Sequence, residues 1–221
     1  MDLVFTYVDG GVGEITFGVR SVLRYLPWIR TVHIVTDGQA PPVDPELLRE
    51  GVLEDALVLR GVHLHFRRGH PVLAGVDLQV PRGETKVILG GSGEGKSTIL
   101  RLALGLLKPQ KGSIRVFGKE IVVLSESELK PLRHRMGMVF QGGALFDSLT
   151  VAENVGFCPM ETHGLSAQRA EPLIRKRLEY VGLADAFDLM PAQLSGGMTK
   201  RAAVARAMIC SPDMILYDEP T

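Results

Sequence analysis

Val87-Ile88-Leu89 is apolar on both faces of a strand and runs without a break into Gly90-Gly91-Ser92-Gly93-Glu94-Gly95-Lys96-Ser97-Thr98. Ile99, Leu102, Ala103 and Leu106 then recur at helical spacing, ended by Pro109 and Gly112. A doubly buried strand, a glycine turn and a helix form one βα unit, which commits this part of the chain to a mainly parallel α/β sheet. The turn itself fits the phosphate-loop pattern. A triphosphate needs many donors close to its oxygens, and side chains would block that approach. Gly90, Gly93 and Gly95 let the backbone N–H groups converge, and the following helix adds the positive end of its dipole. Lys96 reaches the β- and γ-phosphates in such a loop, and the Ser97 hydroxyl ligates Mg2+. Gly91, Ser92, Glu94 and Thr98 complete the candidate phosphate-contacting set. Read without a ligand, the same residues make a glycine-rich turn; the strand before, the helix after and Gly-Lys-Ser together favour phosphate.

Two further segments follow in a fixed order. Leu194-Ser195-Gly196-Gly197-Met198 opens a helix in which Ser195 caps and the glycines bare the first-turn N–H groups. Alone it reads as an ordinary capped helix continued by Ala202, Ala203, Val204, Ala205 and Ala207. Asp213-Met214-Ile215-Leu216-Tyr217-Asp218-Glu219 then ends an apolar run with two carboxylates. Adjacent residues at a strand end point to opposite sides, so Asp218 is assigned to Mg2+ and Glu219 to the general base. Met138-Val139-Phe140 is another apolar strand, delivering Gln141. Gln141 by itself reads as a solvated strand end.

Elsewhere, Leu3 to Val8 and Thr31 to Val35 read as short strands, with Ile15, Val19, Val22, Leu23 and Leu26 as a helix between them. Pro41-Pro42-Val43-Asp44-Pro45 is a stiff linker signal and marks a domain boundary. Val62, Leu64 and Phe66 alternate with His63 and His65 as in a half-buried strand. Ile114–Phe117 and Ile121–Leu124 flank Gly118 as a hairpin. Ser125 with Glu128, and Thr150 with Glu153, have capping-box spacing, and a mostly helical stretch runs from Thr150 to Leu189.

Lys+Arg and Asp+Glu are both 25, so charge supplies no argument for nucleic acid or an anionic membrane as main partner. Cys158 and Cys210 match no metal or redox spacing, and Cys210 reads as a small buried thiol. Met1-Asp2-Leu3 lacks a basic signal-peptide start, and no apolar run reaches the ~18 residues of a membrane span. The expectation is a cytoplasmic chain whose membrane part, if any, lies on another polypeptide.

With Leu194-Ser195-Gly196-Gly197 in place, residues 56–221 resemble the ATPases of ABC transporters, whose order is phosphate loop, glutamine loop, signature, then Asp-Glu. The resemblance implies a P-loop NTPase fold of ABC type, a mainly parallel sheet plus a helical subdomain. It implies ATP and Mg2+ sandwiched between two ATPase subunits, with Ser195, Gly196 and Gly197 of one closing on the γ-phosphate held by the other. Gln141 would then couple metal and attacking water to the helical subdomain that touches a membrane permease, placing the protein on the inner face of the membrane. Phe66 matches the aromatic that stacks on adenine, although a core role shared with Val62 and Leu64 is equally open. Glu94 departs from the pattern, since a carboxylate beside phosphates is repulsive unless it points to solvent. Gly137-Met138-Val139-Phe140-Gln141-Gly142-Gly143-Ala144-Leu145-Phe146-Asp147-Ser148-Leu149-Thr150 narrows the resemblance to Mla-type lipid transporters, implying an MCE-domain partner and lipid cargo. Non-transport ABC ATPases of DNA repair are the alternative, but the coiled-coil or zinc insertions of those proteins are missing between phosphate loop and signature.

The family pattern continues past Asp-Glu-Pro-Thr with another strand and a switch histidine, whereas the last histidine here is His163. The expectation is a C-terminally incomplete domain, weakly active or inactive alone, with central-strand backbone groups left unpaired between the phosphate-loop strand and the Asp-Glu strand. Residues 1–42 resemble instead the N-terminal blocks of Stealth-type sugar-phosphate transferases, in Asp2–Gly10 and in Arg20–Gln39. That resemblance implies a short βαβ-like fragment, with 43–55 as linker. Asp9 and Asp37 would lie near a nucleotide-sugar site, or simply form turns. A join between unrelated pieces is favoured over a bifunctional enzyme, because so short a segment cannot bury an adequate core.

Overall fold

The computed structural model describes residues 2–8, 32–35, 55–67, 70–91 and 93–218. The expected helix over Ile15–Leu26, the linker at Pro41–Pro45, and Asp9, Asp37, Ser92 and Glu219 lie outside these residues.

Five strands form a parallel sheet: β1 (Asp2–Val8), β2 (Val32–Val35), β5 (Thr85–Gly90), β8 (Met136–Val139) and β9 (Met214–Asp218), in the order β2-β5-β1-β9-β8. Four more form an antiparallel sheet, β3 (Leu57–Arg67), β4 (His70–Val80), β6 (Lys111–Val116) and β7 (Lys119–Glu120), in the order β4-β3-β6-β7. Helix α1 (Lys96–Ala103) follows β5, and α2 (Glu126–Arg133) leads to β8. A helical layer then contains α3 (Val151–His163), α4 (Ala167–Tyr180) and α5 (Gly196–Met208).

The apolar strand runs are explained by burial on both sheet faces. Ile88 of β5, with Met214 and Leu216 of β9, packs with α1 and the antiparallel sheet. Val87, Leu89, Ile215 and Tyr217 face the other way, onto Ala203 and Met208 of α5. The alanines of α5 allow close approach as well as favouring the helix. A Cβ on Gly137 in β8 would stand 2.5 Å from the Ala207 carbonyl oxygen, so only glycine permits this strand–helix contact. The helical layer has its own core, in which Val151, Val155, Ile174, Leu178, Ala202 and Ala205 are buried.

Three expectations change. Strand β1 pairs in parallel with β5 (Val4↔Lys86) and with β9 (Val4↔Leu216), so the slot expected to be unpaired is filled from the N-terminal segment. β2 pairs with the other side of β5. The antiparallel sheet adds β4, a strand whose pairing with β3 shifts register repeatedly and so erases the alternation that reveals strands. The second arm of the β6–β7 hairpin is only Lys119–Glu120, because after Ile121 donates to Ile114 O the chain turns toward the Ser125 cap of α2.

Candidate nucleotide-binding site

Gly90, Asp218 and Gln141 mark the carboxyl ends of β5, β9 and β8, the edge at which open parallel sheets bind ligands. Between β5 and α1 the backbone takes left-handed values at Gly93 (φ 87°) and Gly95 (φ 93°), which side chains disfavour. A Cβ on Gly95 would meet Leu73 Cδ2 at 3.0 Å and Val72 O at 3.2 Å, so β4 braces the turn from behind. Lys96 is 5% exposed, and its Nζ donates to Gly90 O (2.9 Å) and Gly91 O (2.6 Å), tying the start of the loop to the first turn of α1. Thr98 is buried two residues further on.

Ser97 Oγ donates to Asp218 Oδ1 at 2.7 Å across a sequence separation of 121 residues. A hydroxyl and a carboxylate oxygen held together are hard donors that suit Mg2+, so this pair fits the ion expected at such a loop. Gln141 is exposed just beyond β8, after the 45% exposed Phe140.

Glu94 does not simply point away from the loop. It is exposed, yet its Oε2 accepts from the Gly91 N–H at 2.6 Å, and a Cβ on Gly90 would stand 2.6 Å from the same oxygen. The carboxylate is folded back over the mouth of the loop.

Ser195, Gly196 and Gly197 are exposed at the start of α5. Ser195 Oγ accepts from Met198 N (3.3 Å), and its carbonyl accepts from Thr199 N, so its contacts stay within its own helix. The signature thus sits on the helical layer, facing outward, while the phosphate loop sits on the sheet. Phe66 is 62% exposed near the end of β3, which removes the core alternative and leaves its ring accessible.

Sequence reasoning missed three groups. Asn154 is fully buried: its Nδ2 donates to the carbonyls of Phe146, Leu149 and Thr150 (3.0 Å each), and its Oδ1 accepts from Phe146 N (2.7 Å). Arg206 of α5 donates to Ala144 O (2.8 Å) and Gly143 O (3.0 Å), and burial pulls its pKa down. Cys158 and Cys210, which match no metal or redox spacing in the sequence, have Sγ atoms 3.1 Å apart. The Cys210 thiol donates to Cys158, which pulls the Cys158 thiol down to about 6 and pushes Cys210 up. A polar residue in a helix and cysteines 52 positions apart carry no spacing signal of such contacts.

Residues 73–221 match the family described as ABC transporter. The chain belongs to the ABC transporter family. It is 45% identical over 159 residues to the intermembrane phospholipid transport system ATP-binding protein MlaF of Haemophilus influenzae, covering 72% of this chain and 60% of that protein. It is 39% identical over 174 residues to the methionine import ATP-binding protein MetN of Corynebacterium jeikeium, covering 77% of this chain and 47% of that protein. The chain therefore spans 60% or less of the length of these two curated relatives. Among solved structures, a dimeric ATP-binding cassette in a post-hydrolysis state with ADP and Pi superposes with a TM-score of 0.69 at 32% identity, over 75% of this chain and 74% of that one. No helix among the described residues is long and apolar enough to cross a membrane.

Proposed function

We propose that this chain is the ATP-binding and ATP-hydrolysing subunit of an ABC transporter, acting as a dimer on a separate membrane permease and serving lipid transport. The observation that carries the catalytic reading is the 2.7 Å contact of Ser97 Oγ with Asp218 Oδ1 beside the buried Lys96. Lys96 exchanges its carbonyl partners for β- and γ-phosphate oxygens, and the N–H groups from Gly93 to Ser97 complete the cradle. Ser97, Asp218 and Gln141 would hold Mg2+, which would supply positive charge to the phosphate oxygens. Glu219 takes the proton of the attacking water, a role typically contributing ~10²–10⁴-fold. Ser195, Gly196 and Gly197 of the second subunit cover the γ-phosphate and exclude bulk water, and Phe66 stacks on adenine.

Lipid is favoured as cargo by the Gly137–Thr150 segment, while overall identity is alike for the phospholipid-system protein (45%) and a methionine import protein of Brucella abortus (44%). An MCE-domain protein and a position on the cytoplasmic face of the membrane follow from the same reading.

Titration of the full chain with a fluorescent ATP analogue, with and without Mg2+, tests it. Saturable binding is expected, weakened at least tenfold by Lys96→Ala, while Ser97→Ala removes most of the Mg2+ dependence. Unaltered binding by both variants overturns the assignment of this loop.

A further inference from the structure

Away from the phosphate loop, α3 and the end of α5 bring together two thiols and an imidazole. Cys158 and His163 belong to α3, and Cys210 lies just beyond α5. Their ligand atoms, two Sγ and a ring nitrogen, all lie within 4.8 Å of one another. The Sγ atoms are 3.1 Å apart, and two sulfurs on one tetrahedral zinc stand about 3.8 Å apart, given Zn–S bonds of about 2.3 Å. The sulfurs therefore need separate by well under 1 Å to admit an ion. Both cysteines are half-buried and His163 is exposed, so an ion has a protein floor and an open approach. The His134 ring packs edge-on against the His163 ring, with centroids 5.8 Å apart, and restricts the orientation of that imidazole.

We propose that Cys158, Cys210 and His163 form a binding site for a borderline-soft divalent cation of the zinc class. Two sulfurs and a nitrogen select such an ion over Mg2+, which prefers the oxygen pair of Ser97 and Asp218. The three residues leave the fourth tetrahedral position to water. As the ion binds, both thiol protons leave to solvent and two metal–sulfur bonds and one metal–nitrogen bond form. The ion would clamp the second half of α3 to the far end of the helix that starts with Ser195, fixing the direction in which that helix presents its first turn. A disulfide is the competing use of the sulfur pair, but it has no role for His163.

Co2+ titration of the reduced, tag-free full chain without nucleotide separates these uses. One Co2+ per chain is expected, with a thiolate-to-cobalt charge-transfer band, displacement by Zn2+, and a Zn2+ dissociation constant below about 1 µM. Cys158→Ser and Cys210→Ser each abolish the band, and His163→Ala weakens binding at least tenfold, with circular dichroism and ATP-analogue binding unchanged. The proposal is overturned if the band is absent, if it survives either serine variant, or if His163→Ala leaves affinity unaltered. It is equally overturned if thiol counting finds the pair oxidised in reducing buffer. Cobalt held only at Ser97 and Asp218 gives no thiolate band, so the phosphate-loop reading stands or falls separately.

Discussion

Glu94 holds the Gly91 N–H at 2.6 Å with a carboxylate folded over the mouth of the loop. A nucleotide has to displace that carboxylate or tolerate its charge beside its own phosphates. Glu94→Ala is therefore expected to tighten ATP-analogue binding about three- to tenfold, the scale of one net hydrogen bond. Glu94→Gln, which keeps the shape and removes the charge, should recover part of that gain; equal or weaker binding by both variants refutes the argument. At this scale, what the sequence disclosed was whatever the backbone fixes locally. Thr150 and Glu153 form their capping box, with Thr150 N donating to Glu153 Oε2 at 2.7 Å and Glu153 N to Thr150 Oγ1 at 3.2 Å. Ser125 and Glu128 also meet, with Ser125 N and Oγ both donating to Glu128 Oε2, at 2.9 and 2.6 Å. The fold-back of Glu94 was not legible, because it depends on the curl of the loop rather than on spacing.

Among elements, α5 and the segment after Gln141 behave as one piece. Arg206 grips the Gly143 and Ala144 carbonyls, and a Cβ on Gly143 would come within 2.9 Å of Thr199 Cγ2. The helix that opens with Ser195 is thus fastened to the stretch that begins at Gln141. Asn154 holds the far end of that stretch with four hydrogen bonds, from Phe146 to Thr150. Arg206→Ala is expected to cost about 1.5–3 kcal/mol in urea unfolding, the worth of hydrogen bonds from a charged donor. Asn154→Ala should cost about 1–3 kcal/mol, since it removes all four side-chain hydrogen bonds and takes this partner from the Phe146 N–H and the Leu149 carbonyl. It should also speed amide exchange over residues 146–150; wild-type exchange there would refute the bracing role. The helices were legible from period and caps, whereas β4 was not, because bulges against β3 break its alternation.

Across the whole molecule, β1 lies between β5 and β9, paired on both sides, and every residue of it from Leu3 to Thr6 has partners in both neighbours. Leu3–Val8 is recognisable as a strand from its apolar run, but strand order is set by non-local pairing that no local pattern encodes. A proline there removes a ladder hydrogen bond and forces the backbone. Val4→Pro is expected to cost ~3 kcal/mol or more. For a chain of this size, that lowers Tm by about 6–12 °C. An unchanged Tm would mean that β1 adds nothing to the sheet's stability.

The position of β1 also sets an order of events. Of the described strands it is the earliest in the chain, and its partner β9 is the latest, with Asp2 opposite Met214. During synthesis β1 emerges with neither neighbour yet made, and the sheet closes around it only after the residues of β9 have left the ribosome. Closure over so long a stretch of chain is slow. Until then the edge of β1 that β9 will cover is open to strands from other molecules. A newborn chain of this kind carries an exposed sheet edge until its middle strand is enclosed.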